Sequence, residues 1–248
     1  MAKLFNKIRQ KLVSEKPSTT RTTNYLKYAI GEIVLVVIGI LIALSINNWN
    51  SKRIQKQKEN LLLSELNKEF KGNKVQLDTV LFNHKRSMKS VEYLLSRLPI
   101  KDIKTENLDS LSYHLWHSGY TYTFNPSSGA TNSIMNSSTI DIISNDELRQ
   151  LLVGWNDMLL DYQEEEILAQ NNYQNQLKPF EKKHFYYSQN YKNWLNDSRI
   201  DLSIFQSLEF DNYVQDRQND LVNILNNTRE LDKIVATINK IIELSETK

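Results

Sequence analysis

The longest apolar stretch of the chain lies near its N-terminus and covers residues 29–46. It reads AIGEIVLVVIGILIALSI, and Glu32 is its only ionisable side chain. An α-helix rises about 1.5 Å per residue, so about 20 apolar residues cross the hydrocarbon layer of a membrane. Aromatic side chains that suit the two membrane interfaces stand near its ends: Tyr25, Tyr28 and Trp49. The pattern therefore predicts one transmembrane helix over residues 29–49.

Two other interpretations of this stretch remain open at the level of sequence. The first is a buried helix in the core of a soluble protein. Such a helix usually keeps a polar stripe, and the β-branched run here has no polar face. A cleaved signal peptide needs only a short apolar core, and Ala43-Leu44-Ser45 resembles a small-residue cleavage site. However, the chain before the apolar core is far longer than the charged segment of a usual signal peptide. An uncleaved anchor is therefore the favoured interpretation.

Residues 50–248 show the periodicity of amphipathic helices rather than the alternation of half-buried strands. Apolar side chains recur at helical spacing from Leu62 to Leu98, and Pro99 ends the run. This predicts one long helix, or two helices in line, over residues 51–98.

Three further helices are predicted downstream. The first covers residues 106–118, and the second begins with a capping box in which Ser144 pairs with Glu147. The third covers residues 207–245 and carries a heptad pattern at Val214, Leu221, Thr228, Val235 and Ile242. Ile224, Leu231 and Ile238 fill the complementary positions three residues later, and Leu225, Ile234 and Ile241 widen the stripe. The Ser/Thr-rich stretch Gly119–Thr139 is predicted to be a loop. We therefore expect an all-α fold, in which one N-terminal transmembrane helix precedes an extracytoplasmic antiparallel bundle with long helices.

The composition excludes several classes of protein. Only 6 Gly and 4 Pro occur among 248 residues, which argues against collagen-like chains and turn-dense β-sandwiches. The chain has no Cys, which excludes disulfides, thiolate metal sites and cysteine nucleophiles. We expect no cofactor.

The distribution of charge predicts the orientation of the anchor. Residues 1–28 contain seven Lys or Arg and one Glu, which gives +6, whereas residues 51–59 contain four and one, which gives +3. The more basic flank of a transmembrane helix usually stays in the cytoplasm. We therefore expect a single-pass protein of the cell inner membrane, with a cytoplasmic N-terminus and residues 50–248 in the periplasm.

Residues 1–15 are predicted to form a basic amphipathic helix beside the membrane, with a disordered basic tail as the alternative. The basic side chains that we expect at an anionic lipid surface are Lys3, Lys7, Arg9 and Lys11. Residues 16–28 contain Pro17 and a Thr-rich run, and they are predicted to be a linker between this helix and the anchor.

Small residues on one face of the anchor predict a contact between two such helices. Gly39 and Ala43 lie four residues apart, a spacing that lets two helix backbones approach closely. Glu32 lies at the cytoplasmic end of the same face, and an intramembrane carboxylate usually marks a function or a protein contact. Contact of Glu32 with headgroups or with Lys27 is the alternative. We expect Glu32, Gly39 and Ala43 to form a membrane-helix contact, which allows a homo-oligomer.

The serine and histidine residues near the predicted loop do not have the spacing of a known catalytic site. Ser127, Ser128 and Ser133 would need His114 or His117 as a base. However, the chain lacks the Gly-x-Ser-x-Gly turn and the preceding strand of a nucleophile elbow. We expect no catalytic residues and no metal ligands.

Three other groups of side chains receive structural interpretations. His84 lies on the helical stripe and is expected to pack beside a polar neighbour. Glu164, Glu165 and Glu166 are expected to form a solvated face, because consecutive residues of a helix point in different directions. The aromatic and basic segment 180–194 is interpreted as a packed connection at one end of the bundle, with a sugar or peptide contact surface as the alternative.

Two blocks of the chain resemble an uncharacterised family of single-pass membrane proteins from Bacteroidota. The first block is FNKIRQKLVSE followed by YLKYAIGEIVLVVIGILIALSINNWN, and the second is SIMNSSTIDIISNDELRQLLVGW. The resemblance implies an inner-membrane anchor and a mostly helical extracytoplasmic domain, and it implies no activity. The stretch KPSTTRTTN departs from the family pattern by being longer and richer in Ser and Thr.

These observations favour a membrane-anchored interaction or sensory module of unknown ligand, without catalytic activity. A structural subunit of an envelope complex is the alternative, and an enzyme is the third hypothesis. The expected partners are the lipid bilayer, an unknown protein and a second copy of the chain, but not nucleic acid.

Overall fold

The computed structural model describes residues 19–137, 139–188, 190–227 and 229–246. Their α-helices are α1 (Thr19–Leu95), α2 (Leu108–Ser118), α3 (Gly129–Asn136), α4 (Asp146–Asn172), α5 (Lys178–His184), α6 (Leu208–Val222) and α7 (Glu230–Leu244). Five-residue π-helical turns follow α4 and α6, at Tyr173–Leu177 and Asn223–Asn227. Short 3₁₀ turns lie at Ile103–Thr105, Thr139–Ile142, Tyr191–Asn193 and Leu202–Gln206. The described residues contain no strand, so the all-α prediction is confirmed.

The chain divides into two units, Met1–Gln57 and Lys58–Lys248. In the first unit, the described residues form the N-terminal part of α1, a helix of 77 residues. Within the described part of the chain, α1 is the one helix that is long and apolar enough to cross a membrane. The apolar window is fully exposed, unlike a core helix of a soluble protein. The prediction of an apolar N-terminal helix of spanning length is therefore confirmed.

The helix begins earlier than the sequence pattern indicates. Thr19 is its first residue, so most of the predicted linker over residues 16–28 is helical. No Gly or Pro occurs between Pro17 and Gly31, and the weak helix propensity of a few Thr residues does not interrupt a helix that continues into a long apolar run. The predicted basic helix over residues 1–15, with Lys3, Lys7, Arg9 and Lys11, lies outside the described residues.

The second unit contains two hydrophobic clusters. In the first cluster, α1 packs against α4 and α7, with the ring centroids of Phe70 and Trp155 4.9 Å apart and the rings nearly perpendicular. Its largest fully buried members besides these two are Leu66, Leu77, Phe124, Ile134 and Tyr162. The apolar face of α1 that is predicted from Leu62 onward thus forms a core, because a helix with one apolar face must bury that face against others.

The second cluster joins the C-terminal part of α1 to α2, α5 and α6. Its buried side chains include Val91, Leu94, Leu111, Leu115, Phe180, Phe185, Trp194, Phe205, Phe210 and Leu221. The rings of Phe180, Phe185 and Trp194 are therefore packed in this cluster, whereas Tyr186 and Tyr187 of the same segment are exposed.

The bundle is antiparallel only in part. The Asn67 side chain donates to the Ile242 carbonyl and Lys74 donates to Asn239, so α7 runs antiparallel to α1. In contrast, α4 begins beside Glu59, where Ser144 donates to its carboxylate, and runs parallel to α1. The reason is that α2, α3 and their connections return the chain to the level of Glu59 before α4 starts.

The last predicted helix, over residues 207–245, is interrupted in the structure. It consists of α6 and α7, separated by the π-helical turn Asn223–Asn227, and the heptad position Thr228 lies outside the described residues. A π-helical turn inserts an extra residue and rotates the helix that follows. The buried face of α7 is formed by Ile234, Thr237, Ile238 and Ile241. The three isoleucines belong to the predicted stripe, whereas the predicted Val235 and Ile242 are only partly buried.

We expect residues 58–248 to fold without the anchor, because both hydrophobic clusters lie within this unit. The purified fragment should give a helical circular-dichroism spectrum and one cooperative thermal transition. A disordered spectrum, or a transition without cooperativity, would show that the second unit depends on the anchor.

Candidate functional site

The segment between α2 and α3 is irregular, as the predicted loop requires, and its backbone is fixed to three helices. The loop prediction for Gly119–Thr139 is wrong over α3, which is helical from Gly129 to Asn136. The Glu166 carboxylate of α4 accepts a 2.7 Å hydrogen bond from the Phe124 N–H. The Asn73 side chain of α1 donates to the Ser127 carbonyl and accepts from the Ser127 N–H, both at 2.8 Å. Because amide and carboxylate side chains satisfy its backbone groups, the segment is ordered and partly buried without forming a helix or a strand.

The same segment is held from α6 by a buried arginine. The Arg217 Nε donates to the Ser118 carbonyl at 2.9 Å, and its Nη2 donates to the Tyr120 carbonyl at 2.7 Å. Ser87 of α1 adds a 2.8 Å hydrogen bond to the His117 carbonyl. The C-terminus of α2 and the first residues after it are therefore fixed by side chains of two different helices.

Two carboxylates of α1 accept hydrogen bonds from residues that follow this segment in the chain. Glu69 accepts hydrogen bonds from the backbone N–H groups of Ala130 and Thr131, at 2.6 and 3.1 Å, in the first turn of α3. Glu59 accepts from the Ser144 N–H and hydroxyl. The predicted capping role of Ser144 is wrong in detail, since Asn145 caps α4 by accepting from the Leu148 N–H. Carboxylates suit these positions because the first N–H groups of a helix lack partners within it.

A buried polar network lies between α1 and α4. Glu166 accepts from the Tyr162 hydroxyl at 2.9 Å and lies 3.2 Å from the Nε2 atom of His84. The expectation that Glu164 and Glu165 share a solvated face with Glu166 is wrong for Glu166, whose side chain is fully buried. The burial of Glu166 could have been predicted from its position four residues after Tyr162, on the apolar face of α4. The predicted polar neighbour of His84 is confirmed, and it is Glu166.

A second buried polar cluster joins α5 to α6. Glu181 is fully buried, and its Oε2 accepts from the Tyr173 hydroxyl at 3.3 Å, while Oε1 has no partner among the described residues. Burial raises the pKa of Glu181 to about 8 and lowers the pKa of Arg217. A small pocket beside Tyr173 and Arg217 has room for about one water molecule. A Cβ atom at Gly119 would lie 2.8 Å from the Tyr173 ring, so glycine permits this close approach.

The raised pKa of Glu181 predicts a pH dependence of stability. A carboxyl whose pKa is higher in the folded state than in the unfolded chain favours folding at low pH. Its contribution should therefore fall as the pH rises from about 5 to about 8, by up to about 1.4 kcal/mol per pH unit. Urea unfolding of wild type and Glu181→Gln across this range measures the difference, which cancels contributions from other groups. A difference that does not change with pH would mean that Glu181 is already ionised in the folded protein.

Aromatic side chains from two distant segments form one partly exposed surface. We define the aromatic surface as Tyr113, Trp116, Tyr120, Tyr122, Tyr187, Tyr191 and Trp194. Neighbouring rings have centroids 5.2–5.9 Å apart, from Tyr187 through Trp194 and Trp116 to Tyr120 and Tyr122. Tyr120 and Tyr187 are exposed by 37% and 42%, respectively, whereas Trp194 is buried. The aromatic surface thus combines a buried ring, Trp194, with rings that are exposed to solvent.

The surroundings of the aromatic surface are basic. The Lys182 Nζ lies 5.4 Å from the Tyr187 ring centroid, and Arg86 donates to the Tyr122 hydroxyl at 3.2 Å. Burial is the main cause that lowers the pKa of both His114 and His117, and the hydrogen bond to the Tyr113 carbonyl opposes this shift at His117. The aromatic surface is therefore bordered by the cations Lys182 and Arg86.

The structure gives the serine and histidine candidates separate partners. His114 Nδ1 lies 3.2 Å from the Ser90 hydroxyl, and His117 Nδ1 lies 2.8 Å from the Tyr113 carbonyl. The hydrogen bonds between Ser127 and Asn73 use the Ser127 backbone N–H and carbonyl, not its hydroxyl. Within the described ranges, no group of three or more His, Asp or Glu is arranged to hold a metal ion.

The predicted membrane-helix contact lies on exposed helix. Glu32, Gly39 and Ala43 are all part of α1, and a Cβ atom at Gly39 would meet nothing within 4 Å in a single chain. A larger side chain at Gly39 therefore leaves the packing of the isolated chain unchanged and affects only contacts with other molecules.

We expect the anchor to self-associate through this small-residue face. In a transmembrane association reporter carrying residues 25–50, Gly39→Ile should abolish the signal by preventing close approach of two backbones. Leu41→Ile is the matched control and should retain the signal. Equal signals from both variants at equal expression would show that the anchor does not associate through this face.

Comparison with known proteins gives one match. The model of a family of unknown function, DUF6090, matches residues 32–158, a range that includes most of the apolar stretch, α2, α3 and the first half of α4. No curated protein and no solved structure matches the chain.

Proposed function

The chain belongs to DUF6090, a family of unknown function, and we propose that it is a membrane-anchored interaction module that binds a protein partner outside the cytoplasm. The proposed arrangement has α1 crossing the inner membrane, the N-terminus in the cytoplasm and residues 58–248 in the periplasm. The length and apolar character of α1 support the anchor, and the excess of basic residues before it supports the orientation. The proposed role involves no chemical reaction.

The aromatic surface is the observation that carries the binding part of the proposal. Tyr, Trp and Arg dominate the energetics of protein interfaces, and rigid rings lose little conformational entropy when they bind. Here the exposed ring of Tyr187 packs on the buried Trp194, and the exposed ring of Tyr120 packs on Trp116, which itself contacts Trp194. Arg217 fixes the Tyr120 backbone, so the surface is ordered before a partner arrives. The bordering cations favour a partner with acidic side chains.

Co-purification from membranes solubilised in mild detergent tests this proposal. The full chain should recover a defined partner in a fixed ratio, and the double variant Tyr120→Ser/Tyr187→Ser should lose it. Leu208→Ser is the matched control, because it also replaces an exposed apolar side chain, at the start of α6. Recovery of the same proteins by wild type and the double variant would contradict a role for the aromatic surface.

A structural subunit of an envelope complex is the second candidate function. It is favoured by exposed apolar side chains on the outer faces of two helices: Leu61, Val75 and Phe82 on α1, and Val153, Leu160 and Ile167 on α4. Large apolar side chains that recur along an exposed helix face usually mark an interaction surface.

A further inference from the structure

The outer face of α1 carries an apolar stripe at heptad spacing. Leu61, Val75 and Phe82 are separated by 14 and 7 residues and are exposed by 61%, 67% and 65%, respectively. Lys68 and Lys89 occupy the other heptad positions of this series. We call the three apolar residues Leu61, Val75 and Phe82 the α1 stripe. Seven-residue spacing keeps side chains on one side of a helix, as in the contact line of a coiled coil.

The outer face of α4 carries a matching stripe. Val153, Leu160 and Ile167 follow one another at seven-residue intervals and are exposed by 59%, 64% and 49%, respectively. We call this set the α4 stripe. Neither stripe contributes to the two hydrophobic clusters of the unit, so both are free to contact another molecule.

The charges beside the two stripes are opposite. Exposed basic side chains outnumber acidic ones near the α1 stripe: Lys68, Lys71, Lys85 and Lys89 stand against Glu65 and Asp78, and Lys71 also lies 3.9 Å from Glu246. The exposed acidic side chains near the α4 stripe are Asp157, Asp161 and Glu164, and the sequence has no Lys or Arg from Gln150 to Leu177. The predominant charges beside the two stripes are therefore opposite, which favours contact between unlike stripes over contact between like ones.

The two stripes also run in the same direction and lie at the same height along the parallel axes of α1 and α4. α1 and α4 run parallel, and the Phe70–Trp155 and His84–Glu166 contacts pair their buried faces at two levels. Val75 and Leu160 lie between these two levels on their respective helices. Since each stripe lies on the face of its helix opposite to those buried contacts, the two stripes point away from each other.

We propose that a second copy of this chain occupies each stripe, with the α1 stripe of one copy packed in parallel against the α4 stripe of the next. Copies that share a membrane with the same topology have parallel α1 helices, so this inference rests on the proposed membrane anchoring. Side-by-side copies place Val75 of one at the level of Leu160 of its neighbour. The contact joins two different surfaces, so it builds rows or rings of chains rather than closed dimers.

Disulfide crosslinking of introduced cysteines in the full-length chain tests this contact, because the chain has no cysteine of its own. Membranes containing two tagged forms, Val75→Cys and Leu160→Cys, are treated with copper phenanthroline. A dimer carrying both tags is expected from the mixture, and no dimer from either form alone. Lys183→Cys, at an exposed position of α5, replaces Leu160→Cys in the control and should give no mixed dimer.

Charge reversal distinguishes a specific contact between the stripes from chance collisions of chains in the membrane. Lys71→Glu with Lys85→Glu in the first form should abolish the mixed dimer, and Asp157→Lys with Glu164→Lys in the second form should restore it. The mixed dimer should also persist with Gly39→Ile in both forms, which separates this contact from association of the anchor.

Two results would overturn the inference. The first is equal crosslinking of each form with itself, which would indicate a symmetric or random contact. The second is the absence of a mixed dimer from chains that stay in the membrane fraction after carbonate extraction. Extraction of the chain by carbonate would instead contradict the proposed anchoring.

Discussion

Replacement of Glu166 by alanine is expected to lower the free energy of unfolding of the fragment 58–248 by about 3–5 kcal/mol. Glu166 is fully buried and binds His84, the Tyr162 hydroxyl and the Phe124 N–H. Its removal leaves these groups without their partner in a site that water does not reach, and unpaired buried polar groups are costly. Urea unfolding, followed by circular dichroism, measures the change.

Glu164→Ala is the control for this prediction. Glu164 lies two residues away on the same helix, but its side chain is exposed. Its replacement should change the free energy of unfolding by less than about 0.5 kcal/mol. Similar losses from both variants would show that the buried network does not contribute specifically to stability.

Arg217→Ala is expected to destabilise the same fragment by a similar amount, about 3–5 kcal/mol. The guanidinium is fully buried and donates to the Ser118 and Tyr120 carbonyls, which would be left without these donors. Because Tyr120 belongs to the aromatic surface, the variant should also loosen this surface. Tryptophan fluorescence should report the change, since Trp116 and Trp194 pack in the same surface.

The control for Arg217 is Arg199→Ala. Arg199 is exposed and pairs with Asp197, so its removal should leave both unfolding and fluorescence unchanged. An Arg217→Ala variant with wild-type stability would contradict the assigned role of Arg217 in holding the segment after α2.

The elements that the sequence predicts best are those in which one physical requirement dominates. The apolar stretch around Ile38 excludes any polar face, and the stripe from Leu62 to Leu98 repeats at helical spacing without Gly or Pro except Gly72. The length of the uniformly apolar run predicts the first, and hydrophobic periodicity predicts the second. The structure joins them into one helix, α1.

The hydrophobic pattern does not predict the interruption between α6 and α7. The heptad series from Val214 to Ile242 is regular in sequence, and a π-helical turn at Asn223–Asn227 costs the chain only local hydrogen-bond geometry. Packing against α4 and α1 decides which face of α7 is buried, and this depends on contacts far away in sequence.

The polar side chains of the site could be predicted least. Glu166 follows two exposed or half-exposed glutamates, and nothing in its immediate sequence distinguishes it from them except its spacing from Tyr162. The aromatic surface combines residues near Tyr120 with residues near Tyr187, more than 60 positions apart. Such a site exists only after the two hydrophobic clusters have brought these segments together.

The orientation of the anchored chain can be measured in living cells with two reporter fusions. Alkaline phosphatase, which is active only outside the cytoplasm, is fused after Lys248, and a fluorescent protein that matures only in the cytoplasm is fused at the same position in a second form. We expect high phosphatase activity, a dark fluorescent fusion and retention of both fusions in carbonate-washed membranes. A well-expressed but inactive phosphatase fusion together with a bright fluorescent one would contradict this orientation.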